Sequence, residues 1–291
     1  MRTIKILITG SSGFLGRATI ELFTKDSNYE VFELGRQNHP IRENYIYSNL
    51  AKEDFSSLKD KISANFDTII HLAAFANFSE NFDPKLFQIN TIATSLLADI
   101  ASEKEIRFVF ASAATVVGSQ KACINSKLRV FPNSYYMLSK WLAERYLIAK
   151  LERPLILRFG GIFGFSGPSY LSLNRSITEA LMRRKIPEVY GLGKAKRNYI
   201  YVKDAAKAIK YGIEKNIKDI HFIAGSELLS IQEIIAKICN LYISNSKPIY
   251  MPSSEAKDQI VEVSRCFPKT SSFEEALKDI KKNYINHFYE N

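Results

Sequence analysis

The sequence predicts an α/β protein: a doubly wound parallel sheet joined to a smaller C-terminal domain built from discontinuous pieces. Three observations predict it. Apolar runs of strand length alternate with longer amphipathic stretches, the rhythm of repeated strand–helix–strand units. The runs are apolar on both faces, as strands covered by helices on each side must be. Glycines spaced three apart follow the first run directly, where strand would pass to helix. With 291 residues, 46% of them apolar and 24% charged, the chain can build one large core or two smaller ones, and disorder is excluded as its main state.

In chain order, strands are expected over residues 3–9, 30–34, 68–72, 107–111 and 155–159, with helices over 16–24, 87–102 and 136–151. After Gly164 the rhythm breaks, and Phe165-Ser166-Gly167-Pro168-Ser169 has loop composition. A helix is expected over 172–184, then turns at Pro187 and at Gly191-Leu192-Gly193. Helices over 204–214, 231–241 and 272–282 and one more strand at 221–224 complete the reading. The division that follows is residues 1–165, rejoined by 198–226, as one domain, and 166–197 with 227–291 as the other.

Composition excludes several function classes. Cys123, Cys239 and Cys266 are scattered, as are His39, His71, His221 and His287, so neither a disulfide framework nor a metal site is expected. No apolar run reaches the roughly 18–20 residues of a membrane-spanning helix. The first ten residues lack the features of a signal peptide, and a soluble, cytoplasmic protein is expected. Forty basic residues against 30 acidic give a net charge of +10, which suits phosphorylated small molecules. No block of like charge and no nucleic-acid signature is present, so nucleic acid is not an expected partner.

The glycine turn carries the first chemistry. Gly10, Gly13 and Gly16 would permit in turn a tight turn, close approach of backbone to a pyrophosphate, and close packing of helix on strand. The helix N-terminus then offers free N–H groups to phosphates. The pattern predicts a Rossmann-type dinucleotide site rather than an ordinary turn, and with it residues 1–165 and 198–226 as the expected NAD(P)-binding domain. An acid at the end of the second strand would hold a ribose 2′-hydroxyl. By register that position is Gly35, and Arg36 follows. A guanidinium suits a 2′-phosphate, which predicts NADP rather than NAD. The alternative is that Glu33 reaches the ribose while Arg36 is solvated.

Tyr136 and Lys140 stand four apart in a helix-competent stretch and share one face. A neighbouring ammonium lowers a phenol's pKa from its usual value near 10, so the pair could exchange a proton with a sugar hydroxyl or carbonyl while hydride moves. The plain alternative is a surface ion pair of Lys140 with Glu144.

Taken in order, these motifs resemble the extended short-chain dehydrogenases/reductases, and more narrowly the NAD-dependent epimerase/dehydratase family, which acts on nucleotide sugars. Residues 9–16 match the family's glycine motif, with Ser12, Phe14 and Leu15 beside the glycines. Residues 67–74 match the third-strand motif, in which Leu72, Ala73 and Ala74 line the cofactor and Phe75 follows towards the substrate. Residues 90–97 match the helix bearing the family's Asn90, and 112–118 the segment of the catalytic serine or threonine. Residues 158–164 resemble the strand and loop beside the nicotinamide, and 191–204 the segment whose Arg197 binds the substrate diphosphate. Asn49, next to Leu50, stands where an aspartate often holds the adenine.

The resemblance implies a nucleotide-sugar epimerase or 4-keto-sugar reductase with Tyr136 and Lys140 as acid–base pair. It also implies a second domain (166–197 and 227–291) that binds substrate, and a homodimer paired through the helices near 87–102 and 136–150. Three departures stand out. Ala113 occupies the position of the usual catalytic hydroxyl and would touch substrate without one, leaving Ser112 or Thr115 to serve. Val116-Val117 replace the acidic pair of the 4,6-dehydratases, which argues against dehydration. Gly161 replaces a loop asparagine. A rival reading from another class is a dinucleotide-binding regulatory protein with little or no catalysis. Among single residues, His71 reads as a satisfied core histidine and Arg158 as buried and structurally paired. Substrate choice is expected to lie in loops around 75–82, 119–131 and 165–197.

Overall fold

The computed structural model describes residues 2–36, 43–63, 65–118, 122–243 and 246–289. His39 and residues 119–121 of the expected specificity loop lie outside them. In chain order the elements are β1 (Ile4–Thr9), α1 (Phe14–Thr24), β2 (Tyr29–Gly35), β3 (Tyr45–Tyr47), α2 (Phe55–Lys61), β4 (Thr68–His71), α3 (Pro84–Phe87), α4 (Ala93–Glu103) and β5 (Arg107–Ala113). There follow β6 (Cys123–Ile124), α5 (Tyr135–Lys150), β7 (Leu155–Phe159), β8 (Ile162–Phe163), α6 (Ser172–Arg183), β9 (Glu188–Tyr190), β10 (Lys196–Arg197), β11 (Ile200–Tyr201) and α7 (Val202–Glu214). The last are β12 (Asp219–Ile223), β13 (Leu229–Ser230), α8 (Ile231–Tyr242), β14 (Ile249–Met251), β15 (Ile260–Val261) and α9 (Phe273–Tyr289).

The chain forms two compact units. The first comprises Met1–Ser119, Arg129–Phe159 and Ala206–His221. It is built on a seven-stranded sheet of order β12-β7-β5-β4-β1-β2-β3, with β3, β2, β1, β4, β5 and β7 paired in parallel. The order reverses between β1 and β4, so a crevice opens there at the carboxyl ends of the strands, where doubly wound sheets bind ligands. Leu7, Leu34, Ile69, Phe108 and Phe110 from the strands are buried against Leu58 and Ile62 around α2, Leu97 and Ile100 of α4, and Ala143 and Leu147 of α5. This is the doubly wound α/β fold that the alternating pattern predicts.

Two differences from the expected elements have physical causes. The single helix expected over 87–102 is instead α3, a π-helical turn over Gln88–Ile92, and α4. The widened turn contains Asn90, fully buried, whose amide grips backbone outside the helix. Strand β3 was not expected, because Tyr45-Ile46-Tyr47 is too short to show alternation; its register on Glu33-Leu34-Gly35 creates it.

The second unit comprises Gln120–Leu128, Gly160–Ala205 and Phe222–Asn291. Four short pairs hold it: β6 with β15, β8 with β11 and β9 with β14 in parallel, and β10 with β13 antiparallel. Ser230 opens α8 with a capping box to Glu233, a local contact that fixes the helix start. Phe163, Ile177, Leu181, Ile238, Tyr242, Phe273 and Leu277 are buried in this unit, and the Tyr242 hydroxyl donates to the Leu277 carbonyl at 2.8 Å. No helix among the described residues is long and apolar enough to cross a membrane.

Candidate active site

The glycine turn joins β1 to α1 at the crevice. Gly10 has φ +71°, a conformation that L side chains rarely adopt. A Cβ there would stand 2.5 Å from the Ala73 amide nitrogen, and one on Gly16 would overlap the Gly10 carbonyl oxygen. The turn is thus closed around glycine, and α1 packs directly on it. Gly13 caps α1 without a side-chain bond, and no acid stands in the first turn. The helix's free N–H groups and its positive end remain available to an anion.

A cleft of ≈ 220 Å³ opens over this turn. It brings together Gly10, Ser12, Gly13, Arg36, Asn49, Leu50, Leu72, Ala73, Ala74 and Phe75 of the expected set, and adds Leu34, Ser48, Ala51 and Ile89, which carried no sequence signal. Phe14, Leu15, Gly16, Asn90, Tyr136 and Lys140 are not among its walls. At the end of β2, a Cβ on Gly35 would lie 2.7 Å from the Tyr45 hydroxyl. A carboxylate cannot be placed at that position unless Tyr45 moves. An uncapped helix start beside a cleft with both polar and apolar walls fits a dinucleotide: Gly10, Ser12 and Gly13 would hold the pyrophosphate, and Leu34 and Leu50 offer apolar cover for a base.

In the same unit, Ser134 caps α5 by accepting from the Met137 amide at 3.2 Å, and the helix starts at Tyr135. Tyr136 and Lys140 follow one turn apart. The Tyr136 ring packs on Phe78 with centroids 4.9 Å apart. Lys140 is 2% exposed, its Nζ standing 4.0 Å from the centroid of the Phe110 ring. Burial pushes this amine down to about 7, against the pull of the nearby Glu144 carboxylate. Lys140 is therefore an interior amine and not half of a surface ion pair. Glu144 is held elsewhere: Arg158 reaches it with two bonds, Nε at 3.0 Å and Nη2 at 2.6 Å, and Ser112 Oγ donates to it at 2.5 Å. Arg158 is accordingly buried and paired, and Ser112, one of two hydroxyls expected to serve in catalysis, spends its proton on Glu144.

A second buried chain links the glycine turn to α5. Thr9 Oγ1 lies 2.6 Å from His71 Nδ1, and His71 Nε2 lies 2.9 Å from Thr94 Oγ1. Thr94 donates its own proton to the Asn90 carbonyl at 2.8 Å, so Nε2 carries the imidazole hydrogen and Nδ1 accepts from Thr9. Burial, with the charge of Lys140, drives His71 down to about 3, so the ring is neutral. The Asn90 side chain accepts from the Phe75 amide at 2.8 Å and donates to the Phe75 carbonyl and to Ser139 Oγ, each at 3.0 Å. Both of its N–H groups are thus spent pinning the lip of the cleft to the tyrosine–lysine helix.

Ala113 ends β5, half-buried, and Thr115 sits half-buried in the 3-10 turn that follows. Val116 and Val117 are fully buried, a setting that would give a carboxylate no solvation. In the second unit, a Cβ on Gly161 would stand 2.5 Å from the Tyr199 ring, so any larger residue there would displace that ring. Arg197 donates from Nη1 to the Lys196 and Lys257 carbonyls at 2.8 and 2.7 Å and lines a small cavity with Phe163, Tyr199, Glu227, Ser271 and Phe273.

An open glycine turn at the sheet's switch point, with a phenol and a buried amine one turn apart in the same unit, is the arrangement of an enzyme of the nicotinamide-dependent short-chain dehydrogenase/reductase type. The chain belongs to the NAD dependent epimerase/dehydratase family, whose model matches residues 6–225. A Bacillus subtilis protein described as an uncharacterized UDP-glucose epimerase is 27% identical over 262 residues, 81% of this chain and 81% of that one. The dTDP-4-dehydro-6-deoxyglucose reductase of Escherichia coli is 26% identical over 259 residues, 80% of each chain. The solved UDP-N-acetylglucosamine 4-epimerase of Bacillus cereus matches the fold with a TM-score of 0.85 at 23% identity, covering 97% of this chain and 99% of its own.

Proposed function

We propose that the protein is an epimerase of a nucleotide-activated hexose, with Tyr136 as its proton-transferring group. The observation that carries this reading is the pairing of Tyr136 with an interior Lys140 on α5, in the unit that holds the glycine turn. When bound, the dinucleotide supplies a hydride acceptor that can also return the hydride. Tyr136, as phenolate, takes the proton of the reacting sugar hydroxyl and, as phenol, gives it back, and the charged form of Lys140 favours the phenolate with which the exchange starts and ends. Ser112 is committed to Glu144, so Thr115 is the hydroxyl assigned to the sugar oxygen beside Ala113. Arg197 is assigned to the substrate diphosphate, and the second unit to substrate binding. The buried Val116-Val117 turn speaks against dehydration. A 4-keto-sugar reductase, as the Escherichia coli relative is described, would differ in consuming reduced cofactor stoichiometrically. Tyr136→Phe should abolish sugar turnover and leave cofactor affinity within twofold; turnover near the wild-type rate would overturn the mechanism.

For the cofactor we favour NADP. Gly35, covered by the Tyr45 hydroxyl, leaves no acid for the ribose 2′-hydroxyl, while Arg36 lines the cleft. Arg36→Ala should weaken NADP by about tenfold or more, the loss of a charge-assisted pair, and leave NAD unchanged. A wild type that binds NAD at least as tightly as NADP would refute the preference. Homodimerisation through the helical segments near 87–102 and 136–150 is supported by the exposure of Ile92 in the π-helical turn and of Ile148 in α5, and sedimentation velocity tests it. A cytoplasmic location fits such a substrate.

A further inference from the structure

The loop that leads to Arg197 is held down by a neighbouring segment of the same unit. Gly191 and Gly193 have φ of +72° and +65°, and this turns the amides that follow them towards one point. A carboxylate occupies that point. Glu255 Oε2 accepts from the Leu192 amide at 2.8 Å, and Oε1 accepts from the amides of Lys194 and Ala195 at 2.9 and 3.3 Å. Successive backbone amides turned inward in this way form an anion-binding nest. The three bonds, with the Lys194 charge, hold the Glu255 carboxyl below the usual carboxylate range. Gly191 is also the close-approach point: a Cβ there would stand 3.2 Å from Glu255 Oε2 and 3.3 Å from the Ser253 and Ser254 carbonyl oxygens.

The contacts continue along both segments. Asp258 Oδ1 accepts from the Lys196 amide at 2.7 Å, the Gln259 amide donates to the Lys196 carbonyl at 3.0 Å, and the Lys257 carbonyl accepts from Arg197 Nη1 at 2.7 Å. Residues 253–259 therefore form a strap across residues 191–197. Its side-chain anchors are Glu255 and Asp258, and one of its own carbonyls holds the guanidinium.

We infer that Glu255 is a positioning residue: seated in the 191–195 nest, it fixes the strap that sets the direction of the Arg197 guanidinium, and so the affinity for the substrate's diphosphate. The inference rests on the assignment of Arg197 to that diphosphate. Without the carboxylate, three amides lose their acceptor and the strap that carries the Lys257 carbonyl is held by Asp258 and Gln259 alone, so the guanidinium, which keeps the Lys196 carbonyl and the Tyr199 hydroxyl, is less narrowly directed before substrate arrives. Affinity falls through that loss of pre-organisation, while the phenol and amine of the first unit are untouched.

The test compares the wild type with Glu255→Ala, Glu255→Gln and Arg197→Ala, measured for KM and kcat on UDP-glucose and UDP-N-acetylglucosamine, for cofactor affinity, and for amide hydrogen exchange at residues 192–197. Glu255→Ala should raise KM about tenfold, with kcat and cofactor affinity within twofold, and should speed exchange at Leu192, Lys194 and Ala195. Glu255→Gln, which keeps one acceptor oxygen, should fall between. Faster exchange with KM unchanged would overturn the inference, and so would unchanged exchange. If Arg197→Ala raises KM while Glu255→Ala does not, the strap fails and the diphosphate assignment stands. If neither raises KM, the assignment itself fails and the inference with it.

Discussion

Replacing Lys140 by methionine should stop turnover and at the same time stabilise the fold. In the unfolded chain this amine titrates near its ordinary 10.5, and in the folded protein burial brings it to about 7. Between those values the unfolded chain binds more protons than the native one, so wild-type stability rises with pH across that window. The burial penalty is fully present below pH 7 and is gone above the unfolded value. At 1.36 kcal/mol for each pH unit, the penalty at neutral pH is on the order of 4 kcal/mol. Methionine fills similar volume with no charge to desolvate. The variant loses the contact of the amine with the Phe110 ring, worth about 1–2 kcal/mol, while Glu144 keeps Arg158 and Ser112. A net gain of about 2 kcal/mol follows, or about 4–8 °C in Tm for a chain of this size. The assay is urea unfolding of both proteins at pH 7, 8.5 and 10, with sugar turnover measured alongside. The gap in stability should be widest at pH 7 and close towards pH 10. A variant no more stable than wild type at pH 7, or a gap that stays constant with pH, would refute the electrostatic argument; retained turnover would refute the role of the amine.

Two further outcomes follow from the same buried network. His71 is held neutral to about pH 3, so the unfolded chain gains a proton that the native one refuses, and stability is lost as pH falls from 6.5 towards 3. By pH 4.5 that loss is about 2–3 kcal/mol at 1.36 kcal/mol per unit. His71→Phe should flatten this slope in urea midpoints while lowering the neutral plateau by about 1–3 kcal/mol, because Thr9 and Thr94 lose their partner; an unchanged acid slope would exclude His71 as its source. Phe78 supports the Tyr136 ring, and such a ring pair is worth about 0.5–1.5 kcal/mol. Phe78→Ala should therefore lower kcat about tenfold with cofactor affinity within twofold, and a kcat equal to wild type would show that Phe78 is only local cover.

What was legible in the sequence was whatever local chemistry dictates. Strand β7 falls on residues 155–159 as expected, because a run apolar on both faces admits one reading. The turn at Gly10 was legible because a reversed φ and a missing side chain leave few residues able to stand there. Tyr136 and Lys140 were legible because helical spacing alone puts them on one face, and His71 and Arg158 because polar groups inside apolar strands must find partners. The short β3, the π-helical turn around Asn90 and the strap over Arg197 left no local trace, since each exists only through a partner distant in sequence.

The amino-acid order by itself determined the doubly wound sheet, the glycine turn and the spacing of the phenol and the amine, since each follows from backbone sterics and side-chain period. The tertiary structure alone decided that Lys140 is an interior amine and not a surface cation, that Ser112 serves Glu144, and that Tyr199 fills the space above Gly161. The physical reason is that desolvation and hydrogen-bond partnership are set by which distant segments pack together. A residue's type supplies a charge or a proton, and its neighbours in space decide what that charge costs and where that proton goes.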